Sequence, residues 1–109
     1  MLARFGGLEG IRDKGLLESA LYRPVQKFQY EPKSTLPELA ASYSYGIARN
    51  HPFFDGNKRS ALLAAIVFLG INGMKFHATE EEAVLETLAL AAGERTEEEY
   101  AFWLTKNST

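Results

Sequence analysis

Three times along the chain a threonine stands three positions ahead of a glutamate at the head of an apolar-periodic stretch: Thr35 with Glu38, Thr79 with Glu82 and Thr96 with Glu99. In such a box the hydroxyl accepts from the backbone N–H three residues on, while the carboxylate reaches back to the threonine N–H. Each pair therefore fixes where a helix begins. Asp13 supplies a further start, ahead of Leu16, Leu17, Ala20 and Leu21 on one helical face. Stops are equally plain: Asn50 before His51-Pro52, then Asn72-Gly73, then Gly93. Residues 25–31 place Phe28 and Tyr30 in alternation between Pro24 and Pro32, which predicts a short strand or hairpin arm with Pro24 closing the first helix. Residues 60–71 are apolar almost all round, which predicts that 57–71 is a central helix buried by several neighbours. Residues 74–76 read as a short extended link, and the tail after Lys106 is expected to fray. The whole predicts one all-α domain, a compact helical bundle around a central buried helix with a small β element.

Composition removes several functions. A formal charge of -2, with acids clustered at 80–82 and 97–99, argues against a direct nucleic-acid binder, which needs many cations to neutralise phosphates. Without cysteine there is no disulfide, thiolate metal site or thiol nucleophile, which fits a cytoplasmic protein. The longest apolar run, residues 61–69, is far short of the ~20 residues of a membrane span.

The chemistry is concentrated in His51-Pro52-Phe53-Phe54-Asp55-Gly56-Asn57-Lys58-Arg59. A residue before proline leaves the helical region, Asp55-Gly56 is turn chemistry, and the chain re-enters a helix near Asn57. The free N–H groups and positive dipole end of that helix, with Lys58 and Arg59, then face the loop that carries His51, as an anion site requires. Alone, His51 is most simply a cap or a packed side chain; the neighbouring cations are what favour a functional reading. A zinc site is poorly supported, because Pro52 and Gly56 forbid a helical His51/Asp55 pair and His77 is the only other histidine. A carboxylate at Asp55 holding Mg²⁺ through nucleotide phosphates is chemically easier. Gly56 and Asn57 serve as turn and cap residues as well as aiming N–H groups at a ligand. Lys58 and Arg59 oppose the helix dipole at a cost of several tenths of a kcal/mol each, which a bound anion would offset. Arg49 reads equally as a solvated charge, a helix C-terminal cation or a phosphate ligand. Phe53 reads as a core anchor and His77 as an unpartnered surface residue.

This nine-residue run resembles the signature of the Fic/Doc family: His, any residue, Phe, any residue, Asp or Glu, Gly or Ala, Asn, Gly or Lys, Arg. The stretch from Ala3 to Leu21 and the Phe68-Leu69-Gly70-Ile71-Asn72-Gly73 segment resemble its death-on-curing (Doc) branch. Members that transfer AMP usually carry Gly where this chain has Lys58, and a second Arg where it has Leu62.

The resemblance implies a Fic-like bundle with a β-hairpin flap and a toxin that moves the γ-phosphoryl group of ATP, with Mg²⁺, to a hydroxyl of elongation factor Tu. His51 would be the general base and Asp55 would place Mg²⁺. Arg49, Gly56, Asn57, Lys58 and Arg59 would hold the phosphates. Phe28, Gln29, Tyr30 and Glu31 would form the flap on which the target docks by strand addition. The family's self-inhibitory helix has no counterpart, since the nearest stretch, residues 34–38, is interrupted by Pro37. Control by a Phd-like antitoxin with a disordered tail is implied instead. Doc-like chains carry further residues before the equivalent of Leu2, so a single domain over 1–109 lacking an N-terminal segment is expected. AMP transfer and a non-catalytic antitoxin-binding module stay open beside the kinase reading.

Overall fold

Helix starts fall where the capping chemistry places them. In the computed structural model, which describes residues 10–109, the helices are α1 (Lys14–Tyr30), α2 (Leu36–Asn50), α3 (Asn57–Ile71), α4 (Glu80–Ala92) and α5 (Glu97–Lys106). Asp13 caps α1 by accepting from the Leu16 N–H at 2.9 Å. Thr35 and Thr96 close full boxes with Glu38 and Glu99. Thr79 closes half of one: its hydroxyl takes the Glu82 N–H at 3.1 Å, but the Glu82 carboxylate accepts from Trp103 Nε1 at 2.9 Å instead. That bond ties α4 to α5. Beside it the fully buried Tyr100 hydroxyl meets Thr87 Oγ1 at 2.8 Å, and burial pushes the Tyr100 pKa up despite this bond.

The all-α class stands, with α2 rather than α3 as the central helix. α2 buries Leu39, Ala40, Ala41, Ser42, Ser44, Gly46, Ile47 and Ala48, and packs against every other helix. α3 buries one stripe, Asn57, Ala61, Ala65 and Leu69, while Leu63, Val67 and Ile71 on its other side are 51–79% exposed. The physical reason is side-chain size. Alanine, serine and glycine let neighbours approach α2 from all sides, and its serines are satisfied internally: Ser44 Oγ donates to Ala61 O at 2.6 Å and Ser42 Oγ accepts from Arg23 at 3.2 Å. Apolar content alone marks α3 as central and misses this.

The strand expected at residues 25–31 is absent. α1 runs through Pro24 to Tyr30, so Phe28, Gln29 and Tyr30 are helical and Glu31 is the C-cap. Proline removes one helical N–H and costs about 3 kcal/mol in a helix interior. Here the buried Ala20–Pro24 face packs on α2. Arg23 pins the same turn by stacking 4.6 Å over Tyr45 and pairing with Glu97 at 3.0 Å. Tertiary contacts override the local breaker. Residues 28–30 form the last turn of the helix, so they present no extended strand edge of the kind the expected flap requires.

Two further expectations are corrected at the C-terminus. The tail does not fray: Lys75 N–H donates to Thr109 O at 3.0 Å and Thr109 N–H to Lys75 O at 2.9 Å, around an antiparallel bridge from Phe76 to Ser108. His77 has a partner, Thr109 Oγ1 at 2.7 Å. Among the described residues no helix is long and apolar enough to cross a membrane. The expected missing segment before Leu2 and the resemblance at residues 3–9 lie outside the described residues.

α1 and α2 form an antiparallel pair that approaches closely at Gly46. A Cβ there would stand 3.1 Å from Ala20 Cα and Cβ and 3.2 Å from Ala20 O. Gly46→Ala is therefore expected to force the two helices apart and to destabilise by about 1–3 kcal/mol, read as a lower urea midpoint. An unchanged midpoint would show that this approach is not a constraint.

Candidate functional site

The site is built where α2 stops and α3 begins. His51 is the C-cap of α2 and sits in the left-handed region at φ 50°, ψ 56°, not in the extended region favoured before proline. It is the single non-glycine residue with positive φ among the described residues. Gly56, at φ 75°, is the N-cap of α3 and makes no side-chain cap bond. A Cβ at Gly56 would meet nothing within 4 Å, so glycine serves here for its backbone freedom, not for space.

Asn57 is not the N-cap but the first helical residue, buried and turned back into the loop. Its Oδ1 accepts the Phe53 N–H and its Nδ2 donates to Phe53 O, both at 2.9 Å. These bonds fix the amide orientation, and Nδ2 also lies 3.5 Å from His51 Nδ1, at the outer limit of a hydrogen bond. Phe53 packs against the small core of Ala20, Ile47, Ala48 and Ala61, as its anchor role requires, while Phe54 is exposed. The loop is thus held by one aromatic and one amide, leaving His51, Asp55, Lys58 and Arg59 at the surface.

A second brace comes from ahead of α1. Ile11 pairs with Phe53 in an antiparallel bridge, the Phe54 N–H donates to Gly10 O at 3.1 Å and the Asp13 N–H to Pro52 O at 3.1 Å. Asn50 Nδ2 donates to Leu16 O at 2.9 Å, fastening the end of α2 to the start of α1. The sequence reading missed these supports, because nothing local links residues 10–13 to residues forty positions later.

His51 and Lys58 line a common cleft of about 550 Å³. Its far wall is α4, with Leu85, Leu88, Ala89, Ala91 and Ala92, and Glu94 stands at the end. One side carries His51 and the Lys58 cation, and the other is apolar. Arg49 is not among the lining residues. It projects from the last turn of α2, 5.5 Å over the Tyr45 ring, and its Nη1 would stand 3.9 Å from a Cβ on Gly93. Residues 28–31 lie at the opposite end of the α1–α2 pair, about 20 Å from His51 by the rise of a helix of this length. The structure therefore joins His51, Asp55, Gly56, Asn57, Lys58 and Arg59 in one loop and helix start, and separates Phe28, Gln29, Tyr30 and Glu31 from them.

Among the described residues no three His, Cys, Asp or Glu side chains gather as a metal cage. A single exposed carboxylate at Asp55 suits Mg²⁺, which completes its shell from water and phosphate oxygens. It does not suit zinc. Removing the Asn57 amide would leave the Phe53 N–H and C=O unpaired. Asn57→Ala is expected to cost about 1–3 kcal/mol in urea unfolding and to speed amide exchange at Phe53. Exchange at Phe53 as slow as in the parent would contradict the bracing role.

Comparison with known proteins gives a consistent picture. The Fic/DOC family model matches residues 1–69. The chain is 40% identical over 93 residues to the protein named Protein kinase doc of Escherichia phage P1, covering 85% of this chain and 73% of that one. It is 43% identical over 75 residues to the protein named Toxin Doc of Mycolicibacterium smegmatis, covering 68% of this chain and 58% of that one.

Proposed function

The chain belongs to the Fic/DOC family, and from that premise we propose that it is the toxin of a toxin–antitoxin pair, a kinase that transfers the γ-phosphoryl group of ATP to a hydroxyl of an elongation factor Tu-like protein in the cytoplasm. The observation that carries the choice of reaction is the placement of two residues. Lys58 shares the cleft with His51, whereas Leu62, standing where AMP-transferring members usually have a second arginine, packs against the main core.

The proposed reaction needs positioning and charge rather than covalent chemistry. The target hydroxyl oxygen attacks the γ-phosphorus, an O–P bond forms, and the bond to the bridging β–γ oxygen breaks to release ADP. The hydroxyl proton passes to the His51 imidazole. Gly56, Asn57, Lys58 and Arg59 hold the polyphosphate through backbone N–H groups at the start of α3 and through the two cations. Arg49 adds charge from the end of α2. Mg²⁺ held by Asp55 and phosphate oxygens would neutralise part of the nucleotide charge. The apolar α4 wall gives the base a surface, and a cleft of about 550 Å³ is of the size that small ligands occupy. Control is assigned to a Phd-like antitoxin, in keeping with the name Toxin Doc of one relative.

The test is incubation with elongation factor Tu and ATP labelled at either the α or the γ phosphate. Transfer from γ alone, abolished in His51→Ala with little change in urea midpoint, is the expected result. Transfer from α would make the protein an AMP transferase. Nucleotide binding without transfer, and a growth effect that survives His51→Ala, would point to a non-catalytic antitoxin-binding module.

A further inference from the structure

We infer that Arg12 is a positioning residue for His51, holding the backbone corner that aims the imidazole; the inference rests on the reading of His51 as the base. Three consecutive carbonyls make this corner, and Arg12 binds all three. Its Nε donates to His51 O at 2.7 Å, its Nη2 to Asn50 O at 3.1 Å and its backbone N–H to Pro52 O at 2.7 Å.

The need for such a clamp follows from the chain itself. The last carbonyls of a helix have no donor within it, and Pro52 has no N–H to contribute at the turn. His51 carries a Cβ into the left-handed region, a strained conformation that persists only where the surroundings hold it. A guanidinium is suited to the task. Its planar fork reaches two neighbouring oxygens at once, and its charge complements the negative end of the α2 dipole. Asn57 braces the same loop from the opposite side through Phe53.

The Arg12 guanidinium spends its Nε and Nη2 on the carbonyls of the corner. It acts through the main chain and not on the nucleotide. Its loss should therefore misplace the imidazole without removing a phosphate contact, lowering kcat and leaving the KM for ATP in place. This pattern separates it from Lys58 and Arg59.

The test uses the full chain with Arg12→Ala, Arg12→Gln and Arg12→Lys, read in two ways. In γ-phosphate transfer to elongation factor Tu, Arg12→Ala should lose roughly tenfold to a hundredfold in kcat, with KM for ATP changed by less than about threefold. Arg12→Lys should recover part of the loss. In NMR the chain has two histidines, His51 and His77, so a His77→Gln background leaves one imidazole to follow. The His51 ring signals should move or broaden in Arg12→Ala and return toward the parent position in Arg12→Lys. Unchanged kcat, or ring signals that stay in place while kcat falls only with the folded fraction, would overturn the inference. If the parent itself transfers nothing, the kinase reading fails and the ring signals decide alone: movement keeps Arg12 as the clamp of the corner, and no movement removes it.

Discussion

At Gly46 the backbones of α1 and α2 approach too closely to admit a side chain without a shift. Ala20, whose carbonyl lost its helical donor to Pro24, lies against the hydrogen atom that stands in place of a side chain. This contact leaves no room for a side chain between the two helices at that point. The start of α1 delivers residues 10–13 to the motif loop, and the end of α2 delivers His51. Across the same pair Asn50 Nδ2 donates to Leu16 O at 2.9 Å. An outward shift of a few tenths of an ångström at Gly46 would propagate along rigid helices to the corner. The small side chains of α2 are therefore part of the construction of the site, although none of them faces it.

The corner itself trades local strain against hydrogen bonds. The left-handed conformation at His51 costs about 1–2 kcal/mol, and each satisfied carbonyl returns on the order of 1 kcal/mol. Three carbonyls held by Arg12, with the Asn57 bonds to Phe53, together outweigh the strain, so the unusual geometry is the stable one. The opposite arrangement holds across the loop. Lys58 and Arg59 stand unfavourably at the positive end of α3, and nothing in helix stability asks for them there. Strain is confined to backbone that is clamped, and unfavourable charge to side chains that face solvent. That division leaves His51, Lys58 and Arg59 exposed on a hydrogen-bonded frame.

What could be read without the structure follows the same line. Caps are local chemistry, so the starts at Asp13, Thr35, Thr79 and Thr96, and the stop at Gly93, are all where their residues place them. The motif loop was legible for the same reason: nine adjacent residues carry it. Failures occur where a distant partner decides. Pro24 and the alternation of Phe28 with Tyr30 argue for a break and a strand, but Arg23 bound to Ser42 and Glu97 keeps the helix whole. The tail and His77 are ordered by each other across thirty residues. Arg12 escaped notice because its three acceptors lie about forty positions away and are carbonyls, which carry no side-chain signature.

The helical phase of α3 bears on the choice of chemistry. Lys58 and Leu62 are one turn apart and share a face, yet Lys58 lines the cleft and Leu62 packs against the main core. Lys58 is exposed in the first turn, whereas Leu62 in the second is partly buried. An arginine at 62 would have to leave the core and snorkel toward the cleft to reach a phosphate. Leucine at that position serves the fold, and the exposed cations at the start of α3, Lys58 and Arg59, stand together in its first turn. On the proposed reading, Lys58 is then the cation that the cleft offers a phosphate beside His51, with the Glu94 carboxylate standing apart at its end.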